Sequence, residues 1–155
     1  MAGSVKPIPD GYHTITPYLS IKGASDAIEF YKKAFGAKEV LRMAQPDGRI
    51  GHAELQIGDS RFMLADEHPD MDFRSPRAIG GTPVYLHLYV EDVDTVVGRA
   101  VASGAKVVRP VQDQFYGDRS GSVADPYGHV WHVATHKEDL SMEEIGKRAA
   151  AQHKS

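Results

Sequence analysis

The sequence predicts an α+β protein built of two β-α-β-β-β modules that pair around a shared cleft. Three observations carry this. The chain repeats itself, with TPYLSIKGASDAIEFYKKAFGAKEV in the first half and VYLHLYVEDVDTVVGRAVASGAKVV in the second. Each copy runs from a short alternating strand through an amphipathic segment and a Gly-Ala to another apolar run. The copies lie about 69 positions apart, too far for a solenoid repeat and suited to a duplicated small module. A sheet with a helix on one face must also bury or use its other face, and curving two such sheets around one cavity does so.

The elements follow in order. Residues 1–12 are rich in Gly and Pro and read as an extended lead-in. Thr14 to Ile21 alternates, with Thr14, Thr16, Tyr18 and Ser20 on one face and Ile15, Leu19 and Ile21 on the other. Pro17 inside this run places it at an edge or end of the sheet. Ser25 or Asp26 is the expected cap of a helix whose stripe is Ala27, Ile28, Tyr31, Ala34 and Phe35. Gly36 ends it. Strands are expected at Lys38 to Met43, Gly51 to Ile57 and Arg61 to Ala65, with turns at Pro46-Asp47-Gly48 and Gly58-Asp59. On the third strand His52, Glu54 and Gln56 share one face.

A polar, Pro- and Gly-rich linker at 67–82 follows, and the pattern restarts. Val84, Leu86, Leu88 and Val90 form an apolar face opposite Tyr85, His87 and Tyr89. Asp92 caps a helix with Val93, Val96, Val97, Ala100 and Val101, ended by Gly104. Strands at Lys106 to Arg109, Ser120 to Ala124 and His129 to Thr135 complete the copy, with a loop from Pro110 to Asp118 and a turn at Asp125-Pro126-Tyr127-Gly128. Ser141 and Glu144 have capping-box spacing, which predicts a terminal helix over about 141–152. The organisation is one domain over 1–155, with module one at about 13–66 and module two at about 83–136.

Composition bounds the function. Charged residues are 25% and hydrophobic residues 41%, ordinary for a soluble globular chain. A net charge of -3 gives no basic excess for nucleic acid. The absence of cysteine removes disulfides, thiolate ligands and a cysteine nucleophile. No apolar run approaches the ~18 residues that span a membrane. MAGSVKPIPDG lacks the apolar core of a signal peptide, so a cytoplasmic protein is expected. No G-x-S-x-G elbow and no phosphate-loop spacing occur.

With AIEFYKKAFGA in the first copy and DPYGHVWHVATH closing the second, the chain resembles the vicinal oxygen chelate superfamily, the glyoxalase, bleomycin-resistance and extradiol-dioxygenase group. DQFYGDRSGSVADPYGHVWHVATHKEDLS resembles its small PhnB-like branch. The likeness covers about residues 14–140 and implies a glyoxalase-like fold with a small-molecule cleft. It implies either a metal-dependent lyase, isomerase or dioxygenase, or a non-catalytic binder of an aromatic small molecule like the bleomycin-resistance proteins. It also implies a twofold homodimer. Metal-dependent members carry ligands on the first and last strands of each module. Those positions fall here on Thr16, on or near Met63, on Tyr85 and on His132, of which only His132 is a good ligand.

The residues themselves offer a second ligand set. His52, Glu54, His87 and His132 could all face the cavity, and His with carboxylate suits a divalent Zn, Ni, Mn or Fe ion. Glu54 is read as a general base, a metal ligand, or the partner of Arg42 or Arg119. Tyr18, Tyr85, His87, Tyr89, Phe115, Tyr116 and Arg119 are the ligand-binding candidates. Phe115 and Tyr116 belong either to a packed loop or to a lid. His13, His68, His129, His136 and His153 read as solvated.

Overall fold

In a computed structural model describing residues 4–153, the chain forms two compact units that divide between Gly81 and Thr82. The first holds β1 (Tyr18–Ile21), α1 (Ala24–Phe35), β2 (Lys38–Ala44), β3 (Ile50–Ile57) and β4 (Ser60–Asp66). A 3-10 turn (Pro69–Met71) and the short helix α2 (Pro76–Ile79) follow. Its sheet has the order β1-β4-β3-β2, with β1 parallel to β4 and the other pairs antiparallel. The second unit holds β5 (Tyr85–Tyr89), α3 (Val93–Ala102), β6 (Lys106–Asp113), β7 (Asp118–Ala124), β8 (Val130–His136) and α4 (Met142–Gln152). Its sheet order is β5-β8-β7-β6, again with one parallel pair. The β-α-β-β-β order is present twice.

The two units also share a register. Met63 lies opposite Tyr18 on one side and Glu54 on the other. His132 lies likewise between His87 and Ser122. Tyr18 therefore corresponds to His87, as the repeat predicts, and Glu54 corresponds to Ser122.

In each unit one sheet face packs on its helix. Ile21, Leu55 and Leu64 are fully buried with Ile28 and Tyr31 of α1. Tyr31 stacks on Phe35 at 6.1 Å and meets Phe62 edge-on at 5.6 Å. In the second unit Val123, Trp131 and Val133 are buried with Val93, Val97 and Ala100. Trp131 Nε1 donates to Asp125 Oδ2 at 3.0 Å, while Asp125 Oδ1 accepts from the backbone of Tyr127 and His129 at 2.9 and 3.0 Å. That is the work of the aspartate in DPYG: it ties the turn to the core.

Four expectations are corrected. The cap of α1 is neither Ser25 nor Asp26 but Asp66, which accepts from Gly23 N at 3.1 Å and Ala24 N at 3.0 Å with Oδ1, and from Ile50 N at 2.7 Å with Oδ2. In the second unit Thr135 plays the same part toward Val93 N at 2.9 Å, alongside the expected Asp92 cap. Strand β1 starts at Tyr18 rather than Thr14, because Pro17 brings no N–H and only its carbonyl joins the ladder, to Met63 N. Strand β6 runs on through Pro110 to Asp113, where a loop was expected. It is an edge strand with two register shifts, a setting that tolerates proline. The linker carries the 3-10 turn, α2 and a bridge between His68 and Phe73. The terminal helix forms as predicted, capped by Ser141 Oγ on Glu144 N at 3.1 Å. Among the described residues no helix is long and apolar enough to cross a membrane.

Candidate functional site

The face of the first sheet turned away from α1 carries a continuous hydrogen-bonded chain. Alternation on β3 sends Ala53 and Leu55 under the helix and His52 and Glu54 to the open side. Tyr18 Oη lies 2.7 Å from His52 Nδ1, and His52 Nε2 lies 2.7 Å from Glu54 Oε2. With Glu54 ionised, Nε2–H is the donor to it and Nδ1 accepts from the Tyr18 hydroxyl. Burial raises the Tyr18 pKa, which keeps the phenol protonated and suits it as that donor. Glu54 thus pairs with His52 and with neither Arg42 nor Arg119. Arg42 is held by Glu29 and Glu39 instead.

Two cavities flank this chain. One, of about 480 Å³, is lined by Tyr18, Gly51, Ala65, His68, Met71 and Phe73. There the linker folds over the end of the sheet and sets the Phe73 ring edge-on to Tyr18 at 5.7 Å. The other, of about 430 Å³, lies beneath the N-terminal segment and takes Glu54, Met63 and Thr16 among its walls. His68 is half-buried in the first cavity, while His13, exposed as expected, borders the second. Phe73 was missed in the sequence because it sits in the linker, where no periodicity assigns it a face.

On the open face of the second sheet, His132 Nδ1 is 2.7 Å from Ser122 Oγ. The His132 ring lies 4.9 Å from that of His87, which lies 4.7 Å from Tyr89. Burial lowers the His132 pKa, and His87 and Arg109 lower it further, which favours the neutral imidazole. Tyr89 donates to Asp118 at 3.4 Å, while Tyr85 and Tyr89 remain 49% and 63% exposed. Ser120 Oγ is buried on this face with no hydrogen-bond partner among the described residues. Neither serine stood out in the sequence, since nothing there shows which way a residue of an isolated strand points.

Arg119 does not join this face. It pairs with Asp94 of α3 at 2.8 Å and Asp113 at 3.2 Å, on the helix side of the sheet. Phe115 and Tyr116 meet edge-on at 5.2 Å in a loop held down by Arg148 of α4, which donates to Phe115 O at 3.4 Å and to Glu138. His136 is exposed, as expected, and is also clamped between Asp118 at 2.7 Å and Asp139 at 2.8 Å. The hydrogen bond to Asp118, then that to Asp139, raises its pKa above the ordinary 6.5. The clamp is complete below the ordinary histidine range and is lost as pH rises through the raised value. A chemical-shift titration of His136 is expected to have its midpoint above 6.5. A midpoint at or below that value contradicts the clamp.

A family profile for the Glyoxalase/Bleomycin resistance protein/Dioxygenase superfamily matches residues 13–133. The chain belongs to this superfamily. An uncharacterized protein of Mycobacterium bovis is 43% identical over 141 residues, covering 89% of this chain and 93% of its own. The crystal structure of TioX from Micromonospora sp. ML1 is 29% identical, with a TM-score of 0.61 over 83% of this chain and all of TioX (100%). A PhnB protein of Bacillus cereus has a TM-score of 0.62 over 79% of this chain and 99% of its own; at 21% identity the likeness is one of fold.

The metal of the superfamily's metal-dependent members does not fit these residues. At the four expected ligand positions stand Thr16, Met63, Tyr85 and His132, and only the last is a good donor. The alternative set fares no better. His52 has both ring nitrogens in hydrogen bonds, so it offers a lone pair only by breaking the bond to Tyr18. His132 has one nitrogen committed to Ser122. Among the described residues no three His, Asp or Glu side chains form a group that could hold a metal ion.

Proposed function

We propose that this superfamily member binds a planar aromatic small molecule on the open face of its first sheet, using its own side chains rather than a metal. The observation that supports this is the cavity between Tyr18 and Phe73. Its volume of about 480 Å³ suits a small organic ligand. Its two rings already stand edge-to-face, and an aromatic guest extends that arrangement. Tyr18 cannot swing away freely, because its hydroxyl is anchored to His52. The ring is preorganised, which lowers the ordering cost of binding.

Titration calorimetry with a panel of planar aromatic compounds tests this. Micromolar binding is expected for at least one, weakened about tenfold by Phe73→Ala, equivalent to loss of one aromatic contact. No binding by any compound, or binding indifferent to Phe73→Ala, contradicts the reading.

A second reading, catalysis, is favoured by the Tyr18–His52–Glu54 chain. A bound acidic group would pass its proton to the Tyr18 oxygen as Tyr18 passes its own to His52 Nδ1. The ligand is left as an anion, and the resulting imidazolium is stabilised by Glu54. In that case Tyr18→Phe abolishes turnover of a bound ligand while retaining its binding.

A further inference from the structure

The second cavity of the first unit has a chemical character of its own. Pro7, Ile8, Pro9 and Met63 give it apolar wall, and Tyr12, His13, Thr14 and Thr16 give it polar wall. Into this setting the structure places one carboxylate. The Glu54 side chain is 14% exposed, and Oε2 is engaged by His52. Oε1 makes no hydrogen bond to any described residue, and no lysine or arginine among them lies within ion-pair distance of Glu54. Tyr12 lines the same cavity, and its hydroxyl is buried with no partner among the described residues.

A largely buried carboxylate with one oxygen unengaged, and a buried hydroxyl without a partner among the described residues, carry a desolvation cost that a ligand with matching groups would relieve. The matching group must be positive to meet Glu54 and must bring N–H donors for Oε1 and the Tyr12 oxygen. The rest of the ligand must be apolar, to meet Ile8, the prolines and Met63. A volume of about 430 Å³ admits a small organic molecule.

We propose that the cavity beneath the N-terminal segment binds the ammonium end of a small apolar amine, with Glu54 as counter-ion and Tyr12 as second acceptor. The site rests on the small-molecule reading of this sheet but uses a different cavity from the aromatic one. The Tyr18–His52–Glu54 chain has one end in each, so occupancy of either cavity is read at the other through His52.

Matched aliphatic probes separate this site from the aromatic cavity. The full-length protein is titrated at pH 7 with cyclohexylmethylamine and with its neutral counterpart cyclohexylmethanol. The amine is expected to bind at least tenfold more tightly. Glu54→Gln is expected to remove that preference, bringing the amine to the affinity of the alcohol, while Tyr12→Phe weakens the amine severalfold. Met63 lies opposite Glu54 on the neighbouring strand. Met63→Lys supplies an internal ammonium there and is expected to abolish amine binding. If Glu54→Gln fails to fold, Tyr12→Phe and Met63→Lys carry the test alone. Equal binding of amine and alcohol, absence of amine binding, or an amine preference that survives Met63→Lys overturns the inference. Loss of the Phe73 dependence for aromatic compounds, with the amine preference intact, overturns only the aromatic reading.

Discussion

Asp66→Ala is expected to destabilise the first unit by about 3–5 kcal/mol. Asp66 is 7% exposed, and its two oxygens take three backbone N–H groups, those of Gly23, Ala24 and Ile50. Two of these belong to the start of α1, where Gly23 brings no side chain of its own to cap with. The third fixes the start of β3, the strand that carries His52 and Glu54. A carboxylate accepting from N–H forms bonds of about 1.5–3 kcal/mol each, and a buried donor left bare costs a further ~1–3 kcal/mol. Some of the loss is recovered when water enters, which brings the sum to the range given. Denaturant unfolding with hydrogen exchange reads it out. Protection should fall first at the amides of Gly23, Ala24 and Ile50. A loss below about 1 kcal/mol would show that α1 is capped by other means.

Gly117→Ala should cost about 2–4 kcal/mol, and Gly58→Ala only about 1 kcal/mol. Both glycines have positive φ, 101° and 58°, so alanine is strained at either. They differ in their surroundings. An added Cβ at Gly58 meets nothing within 4 Å, whereas at Gly117 it would stand 2.6 Å from the carbonyl oxygen of Glu138. The backbone must then open where Gly117 O accepts from Lys137 and Glu138 at 2.9 and 3.0 Å. That junction seats the Phe115–Tyr116 loop and, through Arg148, the base of α4. Thermal unfolding of the two variants side by side separates local φ strain from the clash. Equal losses would place the whole effect in φ.

The legible part of the fold was what repeats locally. Alternation in Tyr85-Leu86-His87-Leu88-Tyr89 and the 3.6-residue spacing of Ile28, Tyr31 and Phe35 are carried by neighbours in the chain, and both elements formed where expected. The side of β3 on which Glu54 would lie was legible for the same reason. What it would touch was not. Its partner is His52, two residues away on the same strand face, a pairing that alternation permits but does not demand. Asp66 capping α1 spans 42 residues and Phe73 meeting Tyr18 spans a linker, and neither leaves a spacing that a sequence can display. Arg119 misled because it stands beside aromatic residues in the chain. In space its guanidinium reaches across the helix side to Asp94.

In the proposed binding mode, side chains of the first sheet, and no metal, hold the ligand. Calorimetric titration of the best aromatic binder measures it most directly, on protein before and after exhaustive chelation and then with Ni, Zn, Mn or Fe added back. The predicted result is one dissociation constant, unchanged within about twofold across all three states, equivalent to less than about 0.5 kcal/mol. Binding that disappears on chelation and returns with one of these metals would contradict it.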